Sequence, residues 1–513
     1  MSRSGDRHLR PDPENRLKSL RDSNGRVLIR ANNEYSATPA GQHLLQMLAN
    51  LLARQYGVVK EILVDIPRCA VHPGIFPIGT DSEDNLPAAV LNLIAQVGGD
   101  EIIGSPSEPD EHEKVEILVG PGEPSPKAQV TVSVTADGWK LFCSTKDKAP
   151  ATGGDLSNPI GPYVAACFAA SSVFKFYFET EPAIDTAASL WDHSEGEWND
   201  LAQGPEPTGK LPGHVYMIGA GAVGTACAFT LAALRDIEGT LIPIDPQTPD
   251  ETSRNRLISC TYEEIQTPKV DLLEKLFRSS KIDVFPYQGL WPDYAADGDR
   301  KTPPEIRDIE RNYRYEWVLS CVDRNLDRRA IAKYLPKNAI GGSTNGTTAQ
   351  IVYYSLESSF PCLACYHPVP ESLPTEELRE KLLAMSREER FDWYQRHDAT
   401  EESIAVMELY LKDPDCGGPG EEELSRLGRE GETDWSVGFV SVASGVILAA
   451  QLIRIAMLGT EKAITGQNEI FGWFWNAGIG RSISRKKKDC LICGDSDTKA
   501  RYVRRWAGPR PVT

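Results

Sequence analysis

Between His214 and Lys269 the sequence gathers residue types suited to holding a nucleotide. The apolar run His214-Val215-Tyr216-Met217-Ile218 leads into Gly219-Ala220-Gly221-Ala222-Val223-Gly224. In such a turn the first glycine permits a sharp strand-to-helix reversal. The second lets a phosphate approach the backbone, and the third lets the helix pack close to the sheet. The helix N-terminus beyond it offers N–H groups and the positive end of a dipole to an anion. Asp245 follows 21 residues after Gly224, the spacing of an acid that accepts hydrogen bonds from ribose hydroxyls. The bland alternative is a packed glycine turn without a ligand.

The residues after Asp245 narrow the chemistry. A dehydrogenase needs only a nicotinamide pocket and a proton shuttle beyond the acid. Here Ser253-Arg254-Asn255-Arg256 and Pro268-Lys269 lie within 25 residues of Asp245. Two cations, Arg256 and Lys269, with the amide of Asn255 beside them, suit a triphosphate whose β and γ groups leave together as pyrophosphate. Asp323, in Leu319-Ser320-Cys321-Val322-Asp323, sits at the carboxyl end of a predicted strand. In an open α/β sheet that end faces the ligand crevice, where a carboxylate can hold magnesium. Singly, each charge is more often a solvated surface group. Only the ordered set carries the reading.

Of the chain's 11 cysteines only two pairs are closely spaced, Cys362/Cys365 and Cys490/Cys493. Each presents two thiolates from one tight turn, and two such turns can complete a tetrahedral, closed and therefore structural zinc site. Two redox-active pairs are the rival, which would call for a thioredoxin-like context. His367, just after the first pair, reads as a surface or packing histidine. Cys416 is a singleton in Asp415-Cys416-Gly417-Gly418-Pro419-Gly420. A lone loop thiol is usually inert, and Asp413 and Asp415 would raise its pKa. Cys260, close to Arg254 and Arg256, is a second candidate thiol.

The elements that must position these residues fall into zones. A chain of 513 residues suggests two to four domains. Its 41% hydrophobic and 25% charged content is ordinary for a soluble globular protein. A formal charge of −18 disfavours broad nucleic-acid binding. The polar start MSRSGDRHLR lacks the apolar core of a signal peptide, so a reducing cytoplasm is expected, with thiols free or metal-bound. Phe439 to Leu458 is about long enough to span a bilayer. It carries Ser441, Ser444, Gln451 and Arg454, and is read as a buried amphipathic helix, with no membrane partner.

Up to residue 205 strands and helices mix without a phosphate-binding glycine loop. Helices are expected at 44–56 and 163–178, a strand at 61–66 and paired strands at 127–134 and 139–144. The polar, proline-bearing stretch 192–213 reads as a linker. From His214, strands at 214–218, 240–244, 282–286, 316–321 and 349–354 alternate with helices at 222–235, 267–279 and 326–335, the pattern of an open, mostly parallel α/β sheet. Residues 371–431 are charge-rich and helical (375–386, 401–411) and read as an insertion. After it, a helix at 439–458 and a strand at 469–475 return to the main domain.

With these residues in place, the chain from 214 to 360 resembles the ThiF/MoeB/ubiquitin-activating enzyme family, which adenylates the C-terminus of a ubiquitin-like protein. Gly219, Gly221 and Gly224 match its glycine turn and Asp245 its ribose-binding acid. Arg256 and Lys269 match its phosphate-binding cations, with Asn255 in the same turn, and Asp323 matches its metal-binding acid. Gly341 to Gln350 is similar to the turn before the strand that receives the substrate tail. Departures are Ser253 for the first Asn of the turn, Gln247 for a second acid, and Arg324 for the Asn after Asp323. The resemblance implies an α/β, Rossmann-like adenylation fold in two parts, 206–370 and 432–513. A helical insertion at 371–431 bears the cysteine. An N-terminal α/β domain, 1–205, would be an inactive adenylation copy forming an intramolecular pseudo-dimer or working in a homodimer.

The resemblance also implies ATP and magnesium as cofactors and a structural zinc on Cys362, Cys365, Cys490 and Cys493. Cys416 would accept the acyl group as a thioester for a ubiquitin-conjugating-type thiol carrier. Bacterial ubiquitin-like conjugation, such as systems linked to phage defence, fits better than cofactor biosynthesis. An arginine reaching in from a partnering domain has candidates in Arg16, Arg21, Arg26 and Arg30. Two other readings remain: a nicotinamide-dependent oxidoreductase, which leaves Arg256, Lys269 and the cysteine pairs idle, and an inactive zinc-stabilised scaffold that binds ubiquitin-like proteins.

Overall fold

The computed structural model describes residues 25–78, 85–104, 115–177, 185–301, 315–357, 360–367, 375–397, 399–412, 424, 437–464, 466–475 and 478–506. The chain divides into two compact units. One takes in residues 1–322, 334–360 and 436–485, the other 323–333, 361–435 and 486–513.

The first unit is built on two sheets. Strands β1 (Arg26–Ala31), β2 (Glu61–Asp65), β3 (Val115–Val119), β4 (Val130–Asp137), β5 (Lys140–Ser144), β6 (Thr186–Ser189) and β7 (Ser194–Glu195) form a sheet in the order β2-β1-β3-β4-β5-β6-β7. Strands β8 (Gly209–Ile218), β9 (Ile237–Ile244), β10 (Lys281–Val284), β11 (Trp317–Ser320), β12 (Asn338–Asn345), β13 (Thr348–Tyr354), β14 (Asn468–Phe471) and β15 (Ile479–Ser482) form the other, in the order β10-β9-β8-β11-β12-β13-β14-β15. Val215 to Ile218 of β8 are buried in succession, as expected of a parallel strand covered on both faces.

The two sheets follow one plan. Each starts on an inner strand, places its second strand on one side and runs its later strands out on the other. Pairing is parallel up to β4 in one sheet and β12 in the other, then antiparallel to the edge. They differ at the opposite edge. The eight-stranded sheet has β10 parallel to β9 there, whereas among the described residues a single parallel bridge, Ile62 to Ile103, lies outside β2.

Helices fill the space around the sheets. Gly438–Leu458 packs on Ala222–Ala233 and on Ile160–Tyr177, which in turn packs on Pro39–Ala53. Small residues let these axes come close: a Cβ on Gly445 would lie 2.3 Å from the Val223 carbonyl oxygen. The expected amphipathic helix is instead buried on all faces from Gly438 to Ile455. Its polar residues survive because they are paired inside. Arg454 Nη1 donates to Gln451 Oε1 at 2.6 Å and lies 3.0 Å from His193 Nε2, while His193 Nδ1 meets Glu469 Oε2 at 2.9 Å. This helix is long and apolar enough to cross a membrane, but 94% of its most apolar window is buried within the protein.

Several boundaries differ from expectation, each for a local reason. The first long helix starts at Pro39 rather than Leu44, because the Thr38 side chain accepts from the Gly41 N–H and proline pre-sets the first turn. Gly341 to Asn345, read as a turn, lies in β12, and the reversal falls at Gly346, whose φ is +56°. The presumed linker 192–213 holds β7 and the start of β8. There Pro205 O accepts from Trp139 Nε1 at 2.7 Å, and Glu195 Oε1 accepts from Trp473 Nε1 at 2.5 Å. Proline and acid content marks a loop but does not reveal that it has partners.

In the second unit, the stretch read as a helical insertion holds helices Thr375–Ala384, Arg387–Arg396 and Glu401–Lys412. The middle helix, unforeseen, begins with a capping box between Ser386 and Glu389. Leu378, Leu382, Trp393, Tyr394, Met407 and Leu411 form its core.

The packing of the central helix is testable. Gly445→Ala should destabilise the protein by about 1–3 kcal/mol through overpacking. Gly480→Ala, whose Cβ would meet nothing closer than 3.9 Å, should stay within about 0.5 kcal/mol. Urea midpoints at an unchanged slope would check both; equal stability of the two variants would contradict the close-packing argument.

Candidate active site and metal centre

The three glycines of the 219–224 turn divide their work as their types suggest. Gly219 has φ of +97°, and a Cβ there would lie 2.9 Å from the backbone of Cys321 at the end of β11. A Cβ on Gly224 would lie 2.1 Å from the Gly219 carbonyl oxygen. Gly221 has nothing within 4 Å of its hypothetical Cβ, so the space beside it is open to a ligand. Gly221 is also the N-cap of Ala222–Ala233, with no side chain to cap the first N–H groups.

Asp245 stands immediately after β9, buried, and its carboxylate straps the turn to the sheet. Oδ2 accepts from the Ala220 N–H at 2.7 Å and Oδ1 from the Gln247 N–H at 2.8 Å. An ionised carboxylate has about four acceptor sites, so hydroxyl donors can still be received. The Gln247 backbone oxygen accepts from the Lys269 N–H at 3.0 Å, and Gln247 Oε1 accepts from Lys269 Nζ at 2.6 Å. The glycine turn, Asp245, Gln247 and Lys269 thus form one hydrogen-bonded run. Gln247 replaces an acid of the expected pattern, and the physical effect is clear: an amide oxygen holds the ammonium without cancelling its charge.

Arg256 belongs to a second, adjoining turn. Ser253 anchors it, since both its N–H and its hydroxyl donate to Asp250 Oδ1 at 2.8 Å. Arg256 Nη1 donates to Asn255 Oδ1 at 3.0 Å, and Asn255 is 1% exposed. Leu257 and Cys260 from this turn pack on Leu272, one helical turn beyond Lys269. The two cations are therefore carried on elements that share a small apolar core.

Asp323 belongs to the second unit. It is exposed, one residue past Val322 and two ahead of the helix Asn325–Lys333. Cys416, Arg16 and Arg21 lie outside the described residues. Arg26 and Arg30 serve the seven-stranded sheet, paired with Glu61 and Glu116. Cys260 is fully buried and burial pushes its thiol up, so it is unsuited to attack an acyl group.

The cysteine pairs converge within the second unit. The sulfur atoms of Cys362, Cys365, Cys490 and Cys493 all lie within 4.8 Å of one another. Cys362 and Cys490 are 3.8 Å apart and Cys365 and Cys493 are 3.0 Å apart. Four sulfurs around zinc at about 2.3 Å would stand about 3.8 Å from each other, so the cage has the right size. Hydrogen bonds from Cys362 and Cys365 pull the Cys493 thiol below the ordinary thiol range, while the same contacts push Cys362 up, so the four sulfurs of the cage act as one group. Its walls are supported: Arg329 Nη1 donates to Ala364 O at 2.9 Å, the Lys487 N–H to Cys365 Sγ at 3.4 Å, and the Gly494 N–H to Cys490 O at 2.8 Å. His367 is buried outside this set, with burial pushing its imidazole down to about 3, as a packing histidine.

The family model of the ThiF family matches residues 211–491, more than half of the chain. The chain belongs to the ThiF family. Among curated relatives, protein y4jF of Sinorhizobium fredii (strain NBRC 101917 / NGR234) is 23% identical over 364 residues, 69% of this chain and 62% of that protein. The bacterial E1-like protein BilD of Collimonas sp. (strain OK412) is 25% identical over 175 residues, 34% of this chain and 38% of that protein. The matches thus span less than two thirds of either relative. Crystal structures of E. coli MccB, with succinimide and with MccA-N7isoASN, align at TM-scores of 0.35 and 0.37 and identities of 14% and 12%. Each covers 71% of this chain and 98% of that chain.

For this ThiF-family chain, two residues near the site escaped sequence reasoning as contributors, Gln247 as a tether and Arg54 (below). Gln247 was visible only as a departure, and Arg54 lies in the stretch expected as a helix at 44–56, with no role assigned to it.

The metal centre yields a direct prediction. Elemental analysis of the purified protein should find a single zinc per chain, and Cys365→Ser or a strong chelator should remove it and lower the thermal midpoint. A metal-free preparation with an unchanged midpoint would rule out a structural zinc.

Proposed function

We propose that the chain uses ATP and magnesium to adenylate the C-terminal carboxylate of a ubiquitin-like protein, then carries the acyl group on a cysteine. The observation that supports this most is the contiguous run from the open glycine turn through Asp245 and Gln247 to Lys269, with Arg256 on an element packed against Lys269's helix. In this reading the run supplies a backbone that a phosphate can approach, an acid for the ribose and, in Lys269 and Arg256, two cations for the phosphates. The E1-like designation of BilD supports the substrate class.

In this reading one oxygen of the substrate carboxylate attacks the α-phosphorus, the bond from that phosphorus to the bridging oxygen breaks, and pyrophosphate leaves. Lys269 and Arg256 stabilise the charge on the departing oxygens. Asp245 orients the nucleotide through its ribose. Asp323 would hold magnesium, which would neutralise phosphate charge when bound. The product is a mixed anhydride. The Cys416 thiolate then attacks its acyl carbon and AMP leaves, giving a thioester ready for a conjugating-type thiol carrier.

The N-terminal half is proposed to be a degenerate copy of the adenylation fold. Support comes from the shared sheet plan and from two glycines in matching roles. A Cβ on Gly41 would lie 2.0 Å from the Tyr35 carbonyl oxygen, and one on Gly224 would lie 2.1 Å from that of Gly219. In this copy the helix N-terminus is closed to anions: Pro39 supplies no N–H, and Thr38 Oγ1 accepts from the Gly41 N–H at 3.1 Å. That gives a scaffold with one nucleotide site rather than two.

The test supplies α-labelled ATP, magnesium and a ubiquitin-like protein with a free C-terminal carboxylate from the same source. Labelled AMP should form only when that protein is present, and a non-reducing gel should show a thiol-sensitive adduct that Cys416→Ala abolishes. Lys269→Ala should slow AMP release by on the order of 10²-fold. Full activity in Lys269→Ala would overturn the phosphate-site assignment, and an adduct persisting in Cys416→Ala would move the thioester to another cysteine.

A further inference from the structure

Helix Pro39–Ala53 and its C-cap carry four polar residues at helical spacing, Gln42, Gln46, Asn50 and Arg54. A polar stripe normally marks a solvated face. This one is buried throughout, none of the four being more than 1% exposed. Gln42 is used locally, donating to Ala70 O at 2.8 Å and accepting from the His72 N–H at 2.8 Å.

Asn50 and Arg54 turn instead to the segment that carries Asn255 and Arg256. Asn50 Nδ2 donates to Ile258 O at 3.0 Å. Arg54 donates from Nε to Asn50 Oδ1 at 2.7 Å and from Nη1 to Arg254 O at 2.5 Å. Its Nη2 donates to Ile258 O at 3.2 Å and to Cys260 O at 2.8 Å. One guanidinium fork therefore closes on three carbonyls of a single turn. Burial lowers its pKa only to about 10, so it stays charged at neutral pH.

The exchange is reciprocal. Arg254 sends its own side chain the other way, donating from Nη2 to Val97 O at 2.7 Å. Its guanidinium carbon lies 5.3 Å from the Tyr56 ring centroid and 4.7 Å from that of Tyr262. The Tyr262 N–H donates to Gln96 O at 3.2 Å. Asn255 and Arg256 sit between these two arginine contacts in the chain. An apolar seam would join the halves at least as stably as buried charge, so what the arginines add is a defined geometry for the turn.

We propose that Arg54 is a positioning residue for the phosphate-binding turn: by holding the carbonyls of Arg254, Ile258 and Cys260 it fixes the segment that aims Arg256. The N-terminal half thereby takes part in nucleotide binding without touching the nucleotide. This rests on the reading of Arg256 as a phosphate ligand.

The experiment uses the full chain and two readouts. Hydrogen exchange without ligand should show amides across 253–260 exchanging on the order of tenfold faster in Arg54→Lys, with Gly438–Leu458 unchanged. Titration with magnesium-ATP should show Arg54→Lys and Arg54→Ala weakened on the order of tenfold. Arg54→Ala/Arg256→Ala should bind no worse than Arg256→Ala alone, whereas a general loss of structure would add to it. Asn50→Ala, which removes one donor and keeps the charge, should move both readouts the same way by less, and serves if Arg54→Ala does not fold. The proposal is overturned by unchanged exchange at 253–260, by wild-type affinity in Arg54→Lys, or by additive losses in the double variant. If the unaltered chain fails to bind magnesium-ATP, the nucleotide reading falls, while the exchange data still decide whether Arg54 holds the turn.

Discussion

The close seating of Gly438–Leu458 is the constraint from which the site takes its shape. Its first residue lies where a Cβ would stand 2.6 Å from Asn255 O. At mid-length, Gly445 admits the helix that follows the glycine turn, and Ser444 Oγ donates to Ser343 O in β12 at 3.0 Å. Toward its end Arg454 meets His193 of the N-terminal half. One buried element thus fixes the Asn255 turn, the helix Ala222–Ala233 and strand β12 relative to each other. Interiors are packed too densely for any of these to shift alone.

Electrostatics then separates the two sheet systems. In one, the helix start at Gly221 has no side-chain cap and faces open space, and Lys269 Nζ nearby donates to the Gln247 amide oxygen. In the other, Thr38 and Pro39 close the equivalent helix start, and the cations of β1 are matched by Glu61 and Glu116. The two helix starts thus differ in local chemistry, while the backbone plan is common to both.

Much of the eight-stranded system was legible because its residues obey strong local rules: an apolar parallel strand, a glycine turn, an acid at fixed spacing and paired cysteines. The four cysteines meet although well over a hundred residues separate the pairs, since metal-ligand chemistry leaves few other uses for them. What escaped depends on tertiary partners. Strand β12 contains Gly341 and Gly342, which read as a turn until a close neighbour explains them: a Cβ on Gly342 would stand 2.9 Å from Val223 Cγ1. The polar stripe on Pro39–Ala53 carries the signature of a wet surface, and only its partner carbonyls reveal it as a seam. The helix Gly438–Leu458 showed too few polar residues to say whether one face or all faces were covered.

The hook between Glu195 and the segment holding Trp473 and Ile479 has a consequence for biosynthesis. Glu195 accepts from Trp473 Nε1 and from the Ile479 N–H at 3.2 Å, partners translated some 280 residues later. At about 5–20 residues per second the ribosome needs roughly 14–56 seconds to deliver them. For that interval the Glu195 carboxylate lacks these two donors, and an exposed sheet edge in an unfinished chain is a template for wrong pairing. The edge strand β7 is only Ser194–Glu195, too short to template another strand. Its brevity protects the unfinished protein as much as it serves the finished one.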